Sequence, residues 1–296
     1  MKPLGGSELL YNNLKKYIGT DWQQNINLFL SICDQRLISS DKTNILWQHL
    51  YTDQDALMGM YDRKFIDTVD QFVYVSNWQL DQFKSKFDIA STNNIVIKNA
   101  IEPIEFKEKP TDRLRLIYTS MPNRGLDVLL DAFELIDRDV ELVIYSSNII
   151  YGKGYHSSMG NTYDRLFARA RSMKNVVYKG YAMNKAIRLA LQQSHILAYP
   201  STFKETSCMS AIEAGAAGCK IVTTDLGALT ETCNKYATYV EYSDRQSLVE
   251  NYAQSLIETI DNYQDSMYTL KVQSDWFNAQ YSWENRKHEW INLLQQ

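Results

Sequence analysis

The fold is decided by residues 199–224, whose sequence is YPSTFKETSCMSAIEAGAAGCKIVTT. This pattern predicts the end of a strand, a polar turn, a helix from Ser207 to Ala217, a glycine stop and a further strand. Parallel α/β domains are built from such units and bind ligands at the carboxyl edge of the sheet. Because a helix N-terminus has unpaired N–H groups and a positive dipole end, the turn before this helix fits a diphosphate.

Two acidic residues in this stretch, Glu205 and Glu213, can face one crevice. At about 100° per residue, Glu213 lies two helical turns beyond the turn that carries Glu205. A carboxylate at that depth can accept hydrogen bonds from the vicinal hydroxyls of a ribose, and one at the turn can meet a sugar ring. The spacing alone is equally typical of a capping glutamate followed by a solvent-exposed helical glutamate, so both interpretations stay open at this point.

Short apolar runs alternate with helical patterns over the rest of the chain, which predicts parallel α/β structure in both halves. In the first half, a helix with Ser7 as its N-cap precedes four strand-like runs, and these elements are Ser7–Ile18, Ile26–Ile32, Ile45–Trp47, Phe72–Val75 and Ile95–Ile97. In the second half the predicted strands are Leu114–Thr119, Val140–Ser146, Val176–Tyr178, Ile196–Tyr199 and Lys220–Thr223. The predicted helices there are Leu126–Ile136, Tyr163–Ser172, Asn184–Gln193 and a C-terminal helical region ending in Trp283–Leu294.

The length of 296 residues predicts two domains. The alternation breaks in a polar, charged stretch over Asn99–Pro110, where we place the linker. We therefore expect an N-terminal Rossmann-like domain over residues 1–103, a C-terminal one over 104–280, and a helix over 281–296 that crosses back to the first domain. The pair Gly5-Gly6 takes the place of a loop after a first strand, yet only four residues precede it. We expect a reduced N-terminal domain, either trimmed or begun downstream of the original start.

The charge balance and the cysteine pattern exclude several classes of protein. A net charge of −4 leaves no basic surplus for binding nucleic acid. No run of about 18 apolar residues predicts a transmembrane helix, and nothing at the N-terminus resembles a signal peptide. We expect a cytoplasmic protein with free thiols, and peripheral attachment to a membrane stays open. The cysteines, which lack the spacing of a zinc site, are Cys33, Cys208, Cys219 and Cys233.

The decisive stretch resembles glycosyltransferase family 4, whose members carry a Pro-Ser-x-x-x-Glu-x7-Glu-Ala-x-Ala-x-Gly segment before a short strand and a glycine turn that ends in Glu. The matching residues are Pro200, Ser201, Glu205, Glu213, Ala214, Ala216, Gly218, Thr223, Thr224, Gly227 and Glu231. The resemblance implies a GT-B fold, with two Rossmann-like, doubly wound domains facing a cleft. It further implies retaining transfer of a sugar from a UDP- or GDP-sugar to an unidentified glycan, lipid or small-molecule acceptor, with no metal and no other cofactor.

The same resemblance assigns roles to residues of the donor site. Glu213 is expected to bind the ribose and Glu205 to lie by the donor sugar. The backbone N–H groups at the predicted helix tip are expected to bind donor oxygens, and these belong to Thr206, Ser207 and Cys208.

Two glycine-containing segments extend the resemblance. Gly5 and Gly6 match the N-terminal Gly-Gly loop of the family, where backbone approaches the diphosphate. The stretch Asn175–Gly180, followed by Tyr181, is similar to a segment that runs beside the nucleotide base, so we expect the backbone around Tyr181 near the base. Ala100 departs from the glycine that the family has before the linker.

The phosphate site departs from the family, which has an Arg and a Lys five positions apart. Arg124 takes the Lys position, but Thr119 takes the Arg position, so one of two cations is absent. Arg124 can still bind phosphate through its planar fork, and Ser120 can add a hydrogen bond. The resemblance also makes His49 the cleft histidine, which binds a sugar hydroxyl or stabilises developing charge. His156 is a weaker candidate in the loop that borders the cleft in relatives.

Other interpretations of the sequence remain. Asp53-Gln54-Asp55 has the Asp-x-Asp form that binds a divalent cation in the other major glycosyltransferase fold, but it lacks the strand context of such a site. A nucleotide-sugar epimerase or hydrolase would share the donor pocket. The reduced N-terminal domain and Thr119 would also suit a non-catalytic, carbohydrate-binding descendant of a transferase.

Overall fold

The structure is a computed structural model that describes residues 5–89, 92–148 and 162–295. These residues form two compact units. The N-terminal unit contains Gly6–Glu102, the short segment Lys204–Ser207 and the chain from Tyr281 onward. The C-terminal unit contains Gly5, Pro103–Phe203 and Cys208–Gln280.

The N-terminal unit is built on a four-stranded parallel sheet in the order β1-β2-β3-β4. Its strands are β1 Ile26–Leu30, β2 Thr43–Gln48, β3 Gln71–Tyr74 and β4 Asn94–Val96. The predicted run Ile26–Ile32 ends two residues early because Ser31 has φ 61°, a left-handed conformation that turns the chain out of the sheet. The backbone N–H of Ser31 still bonds to the carbonyl of Trp47 at 2.8 Å.

Helices cover this sheet and bury a strongly aromatic core. They are α1 Gly6–Ile18, α2 Arg63–Ile66, α3 Asn77–Lys86 and α11 Trp283–Leu294. The helix α1 begins at Gly6, so the prediction of Ser7 as its N-cap was wrong, and Ser7 lies inside the first turn. The rings of Trp47 and Trp290, both completely buried, lie 4.4 Å apart and anchor α11 within this unit.

The C-terminal unit contains a six-stranded parallel sheet in the order β10-β9-β8-β5-β6-β7. Its strands are β5 Leu114–Tyr118, β6 Val140–Ile144, β7 Val176–Tyr178, β8 Ile196–Tyr199, β9 Lys220–Thr224 and β10 Ala237–Val240. Its helices are α4 Leu126–Glu134, α5 Asp164–Ser172, α6 Asn184–Gln192, α7 Met209–Ala216, α8 Leu229–Cys233, α9 Arg245–Asp261 and α10 Tyr263–Tyr281. The chain moves outward from β5 in one direction and from β8 in the other. The carboxyl ends of β5 and β8 therefore form a topological switch point, where such sheets bind ligands.

The helix α7 is shorter than predicted and fits a tightly packed space. It begins at Met209 rather than Ser207, with Cys208 as an N-cap that makes no side-chain capping bond. Gly218, with φ 75°, ends it. A Cβ on Gly215 would lie 2.4 Å from the ring of Phe277 in α10, so the small residues of α7 are required by close packing.

A buried lysine holds the C-terminal ends of α6 and α7 together. The ammonium of Lys109 donates to the carbonyls of Leu191 at 3.0 Å, Gln192 at 3.4 Å and Ala217 at 2.8 Å. These carbonyls lie at the helix C-termini, at the negative ends of the helix dipoles, and that of Leu191 also accepts from the N–H of Ser194 at 3.1 Å. Burial lowers the pKa of Lys109, and the three acceptors offset the cost of burying its charge.

Within residues 5–89, 92–148 and 162–295, no helix combines the length and the apolar character needed to cross a bilayer.

Candidate functional site

Two turns meet at the switch point of the C-terminal unit. The first turn follows β5 and ends at Gly125, and the second follows β8 from Pro200. Gly125 has φ 96°, and a Cβ built on it would lie 1.9 Å from the carbonyl oxygen of Pro200, so the two backbones are in direct contact. The hydroxyl of Ser210 in α7 donates to the carbonyl of Thr119 at 2.7 Å. These two contacts fix the end of β5 against the turn and helix that follow β8.

Arg124 is held at this edge by an aromatic ring. Its guanidinium carbon lies 4.1 Å from the ring centroid of Phe203, a cation–π contact between the two turns. Ser120, on the same turn as Arg124, is partly buried. The hydroxyl of Thr119 is shielded from solvent and has no hydrogen-bond partner among the described residues. One cation and several hydroxyl groups thus collect at the carboxyl edge, and Phe203 is a functional candidate that the sequence analysis missed.

Glu213 is buried and one of its oxygens is fixed. The side chain is 7% exposed, and its Oε1 accepts a hydrogen bond from the Nδ2 of Asn184 at 2.8 Å. Asn184 is the first residue of α6 and was not singled out from the sequence. The interpretation of Glu213 as a solvent-exposed helical residue was wrong, since this carboxylate lies in the interior of the unit with a dedicated amide donor.

The segment before α6 is the one predicted to lie beside a nucleotide base. Gly180 has φ 68°, which a glycine adopts without strain, and Tyr181 follows it with 40% of its surface exposed. Cys208 is 3% exposed at the tip of α7, and Gly5 is buried. A Cβ on Gly6 would meet no protein atom within 4 Å, so no contact within the described protein requires glycine there.

His49 follows β2 directly in the N-terminal unit. Its Nδ1 lies 3.4 Å from the hydroxyl oxygen of Ser31, and its ring lies 4.7 Å from the ring of Trp47. Burial lowers the pKa of His49 to about 3, so the ring is neutral at neutral pH. Its Nε2 is shielded from solvent and has no partner among the described residues. A neutral imidazole with one unused nitrogen can make one hydrogen bond to a ligand.

Two buried amides build the turn that carries His49. The side chain of Gln48 accepts from the N–H of Leu50 at 2.8 Å and donates to the carbonyl of Ser31 at 3.2 Å. The side chain of Gln79 in α3 donates to the carbonyl of Leu50 at 2.8 Å and accepts from the N–H of Val75 at 2.9 Å. Both amides are completely buried, so the turn is fixed by a satisfied polar network.

The segment Lys204–Ser207 belongs to the N-terminal unit. The hydroxyl of Thr206 donates to the backbone carbonyl of His49 at 2.8 Å, so that side chain is engaged by protein. The ammonium of Lys204 lies 4.9 Å from the ring centroid of Tyr51. Glu205 is 6% exposed and Ser207 is partly buried. The chain at Thr206 and Ser207 is a bend and not the predicted helix tip, because the contact of Thr206 with His49 competes with an earlier start of α7.

The remaining candidates do not join either group. Asp53 and Asp55 are exposed, and the described residues contain no group of three His, Cys, Asp or Glu side chains able to hold a metal ion. His195 is structural, since its Nδ1 accepts from the N–H of Arg115 at 2.9 Å and its Nε2 lies 2.8 Å from the carbonyl of Pro110. His156 lies outside the described residues.

A match to a known protein family covers the C-terminal unit. The model of the family described as glycosyl transferases group 1 matches residues 113–262, just over half of the chain. The chain belongs to this family. Among curated proteins, none matches the sequence of this group 1 glycosyltransferase significantly.

Solved structures resemble the group 1 glycosyltransferase over most of its length. Sucrose-phosphate synthase from Thermosynechococcus elongatus aligns with a TM-score of 0.73 and 13% identity, over 97% of this chain and 78% of that one. A glycosyltransferase from Rickettsia africae aligns with a TM-score of 0.71 and 15% identity, over 97% and 81%. HepE from Anabaena, solved with UDP-glucose, aligns with a TM-score of 0.66 and 14% identity, over 86% and 72%.

These comparisons fix the fold class and the class of enzyme. Two parallel-sheet α/β units and GT-B glycosyltransferases as structural neighbours confirm the predicted GT-B fold. Membership of the family makes the chain a glycosyltransferase. At identities of 13–15% the solved structures speak for the fold alone.

Proposed function

We propose that this chain transfers a sugar from a UDP-sugar to an acceptor hydroxyl, with retention of configuration at the anomeric carbon and without a metal ion. The observation that carries the proposal is the buried carboxylate of Glu213, held by Asn184 at 2.8 Å beside the switch point. A buried carboxylate that is oriented by an amide is well suited to accept from the two hydroxyls of a ribose. The uracil base is supported by structural neighbours solved with UDP-glucose and with UDP and GlcNAc.

In this proposal the two turns at the switch point hold the donor. Glu213 binds the ribose, and the backbone at Tyr181 lies beside the base. Arg124, kept over the ring of Phe203, and the hydroxyl of Ser120 bind the diphosphate together with backbone N–H groups before α7. A single guanidinium with neutral donors replaces the usual two cations.

The proposed reaction exchanges one bond for another at the anomeric carbon. The bond from that carbon to the β-phosphate oxygen breaks, a bond to the acceptor oxygen forms on the same face, and the leaving phosphate oxygen takes the acceptor proton. Arg124 stabilises the charge that develops on the diphosphate, which is the main contribution a protein makes to such a step. His49 is neutral and would hydrogen-bond a hydroxyl of the donor sugar through Nε2, while Glu205 would lie by that sugar.

The acceptor is proposed to be a glycan, a lipid-linked saccharide or a small molecule. The enzyme is proposed to act in the cytoplasm or at the inner face of a membrane.

The anomeric configuration of a transferred sugar can be determined by NMR of the product. A product with inverted configuration would contradict the proposed reaction course.

The donor site is tested by measuring UDP and UDP-glucose affinity in Glu213→Gln, with GDP-mannose as the competing donor. The variant keeps the shape of the side chain but loses its charge. We expect affinity for UDP to fall about tenfold or more, since a charged hydrogen bond contributes about 1.5–3 kcal/mol. Glu258→Gln, an exposed change on α9, is the matched control.

The outcomes separate the parts of the proposal. Unchanged UDP affinity in Glu213→Gln would refute the ribose assignment, and tighter binding of GDP-mannose than of UDP-glucose would refute the choice of base. If UDP-glucose is hydrolysed to free glucose in the presence of an acceptor hydroxyl compound and no glycoside forms, the proposed sugar transfer is refuted.

A further inference from the structure

A small cavity lies at the carboxyl ends of β1 and β2 in the N-terminal unit. Its volume is about 140 Å³. Buried apolar side chains form its inner wall, namely Leu46, Leu57, Met60 and Phe65. Ile32 and Ala56, both exposed, also line it, so the cavity is open to solvent on that side.

The wall of the cavity carries no formal charge. None of its lining residues is Lys, Arg, His, Asp or Glu. Cys33 also lines it, and burial together with the neighbouring Asp34 raises the pKa of that thiol to about 11, so it stays neutral. A phosphate, a nucleotide or an ionised sugar would lose its hydration here without gaining a counter-charge. The cavity therefore suits an uncharged group.

The size of the cavity sets the size of that group. An apolar protein cavity of about 150 Å³ has the capacity to bind benzene. The cavity described here is nearly as large and has comparable side chains on its inner wall. A single six-membered carbon ring or a branched aliphatic group of similar volume therefore fits the cavity.

The cavity adjoins the histidine of the proposed reaction. Ser31 forms part of its wall, and the Ser31 hydroxyl oxygen lies 3.4 Å from Nδ1 of His49. A ligand with an apolar end in the cavity would thus have its polar end beside His49. Since the proposed function assigns His49 to the reacting sugar, the ligand that reaches from the cavity to His49 is the acceptor.

We infer that the acceptor of this enzyme carries an uncharged, ring-sized apolar group, and that the cavity lined by Leu46, Met60 and Phe65 binds it. The inference rests on the proposed function for the role of His49. It narrows the proposed acceptor, which was a glycan, a lipid-linked saccharide or a small molecule, to a hydroxyl compound with an aromatic or compact aliphatic part.

Binding is tested first without any donor. Benzyl alcohol is titrated into protein with carbon-13 labelled methionine methyl groups. We expect a saturable shift of the Met60 methyl signal, because the ring would lie against it, and no saturable shift of Met58, which lies outside the lining and is 66% exposed. Ala56→Phe fills the open side of the cavity and should weaken binding about tenfold or more. Met58→Phe is the matched control, because Met58 and Ala56 lie on the same short 3-10 helix, Asp55–Tyr61.

The acceptor role is tested by transfer from UDP-glucose to phenyl β-D-glucoside and methyl β-D-glucoside. We expect the phenyl compound to react with a KM about tenfold lower, as burial of a ring predicts, and this preference to disappear in Ala56→Phe while UDP affinity stays unchanged. Absence of a saturable Met60 shift would overturn the inference. So would equal KM values, transfer to neither glucoside, or a phenyl preference that survives in Ala56→Phe. Failure of the proposed function would be seen separately, because the unsubstituted protein would then not bind UDP.

Discussion

The contact between the two turns at the switch point predicts the effect of Gly125→Ala. Gly125 has φ 96°, and its added Cβ would lie 1.9 Å from the carbonyl oxygen and 2.9 Å from the carbonyl carbon of Pro200. The left-handed backbone costs an L-residue about 1–2 kcal/mol. Relief of the clash requires one backbone to shift, and forced overpacking of this kind costs about 1–3 kcal/mol more. We expect a total loss of about 2–5 kcal/mol in the free energy of unfolding.

Gly180→Ala is the matched control, because it introduces the strain without the clash. Gly180 has φ 68°, and the nearest atom to its added Cβ is in the ring of Tyr178, at an ordinary 3.7 Å. Thermal unfolding of both variants, followed by circular dichroism, separates the two contributions. For a unit of this size, each kcal/mol lowers Tm by about 2–4 °C. Gly125→Ala should therefore unfold several degrees below Gly180→Ala.

The same substitution should reach the donor site. A shift of the turn would move Arg124 away from Phe203. At 20 °C, the UDP affinity of Gly125→Ala should therefore fall by more than the loss of folded protein expected from its lower Tm. If Gly125→Ala and Gly180→Ala unfold at the same temperature, the backbones of the two turns do not touch as described. The explanation of how Arg124 is positioned would then be wrong.

Three further substitutions test other parts of the chain. Lys109→Met should cost about 2 kcal/mol or more in urea unfolding, because the buried carbonyls of Gln192 and Ala217 lose their ammonium donor, whereas exposed Lys107→Met should cost little. Trp290→Ala should cost about 3–5 kcal/mol and detach α11 from Trp47, which protease digestion of the C-terminus would reveal. The pKa of His49 is about 3 in the folded protein, below its value of about 6.5 in the unfolded chain. The stability that the neutral His49 ring contributes is therefore present above about pH 6.5 and is lost as the pH falls towards 3. The loss is up to about 1.4 kcal/mol per pH unit. His49→Gln should therefore lose less stability than the unsubstituted protein between pH 7 and pH 5, and equal losses in urea midpoints would contradict the buried, neutral ring.

The strands were predictable where burial on both faces makes them continuous apolar runs. Ile196–Tyr199, in which all four residues are buried, has the predicted bounds. Val176–Tyr178 also has the predicted bounds although it is only partly buried, because valine and tyrosine favour strands. The strand Ala237–Val240 was missed because it is a short edge strand with only its last residue buried. The early start predicted for α7 followed from Ser207, a good capping residue, but the bond from Thr206 to the His49 carbonyl is a tertiary contact that no local pattern contains.

The candidate site residues could be named from the sequence, but the residues that support them could not. Glu213 and Arg124 could be named because their segments resemble those of a known family and follow the carboxyl ends of predicted strands. Their partners are far away in the sequence, since Asn184 lies 29 residues before Glu213. The meeting of these residues depends on the order of strands in the sheet, which a single sequence does not determine.

Two glycines that pack against other backbone or side chains, Gly125 and Gly215, are important for the proposed chemistry. Gly125 permits the turn of β5 to touch the turn of β8, and Gly215 permits α7 to lie against α10. Both contacts set the positions of Arg124 and Glu213, and in the proposed site neither glycine contacts the nucleotide-sugar donor. A charged side chain can be replaced by neutral hydrogen-bond donors without moving its neighbours. A glycine at a backbone contact has no such substitute, so loss of either should impair donor binding more than loss of one phosphate contact.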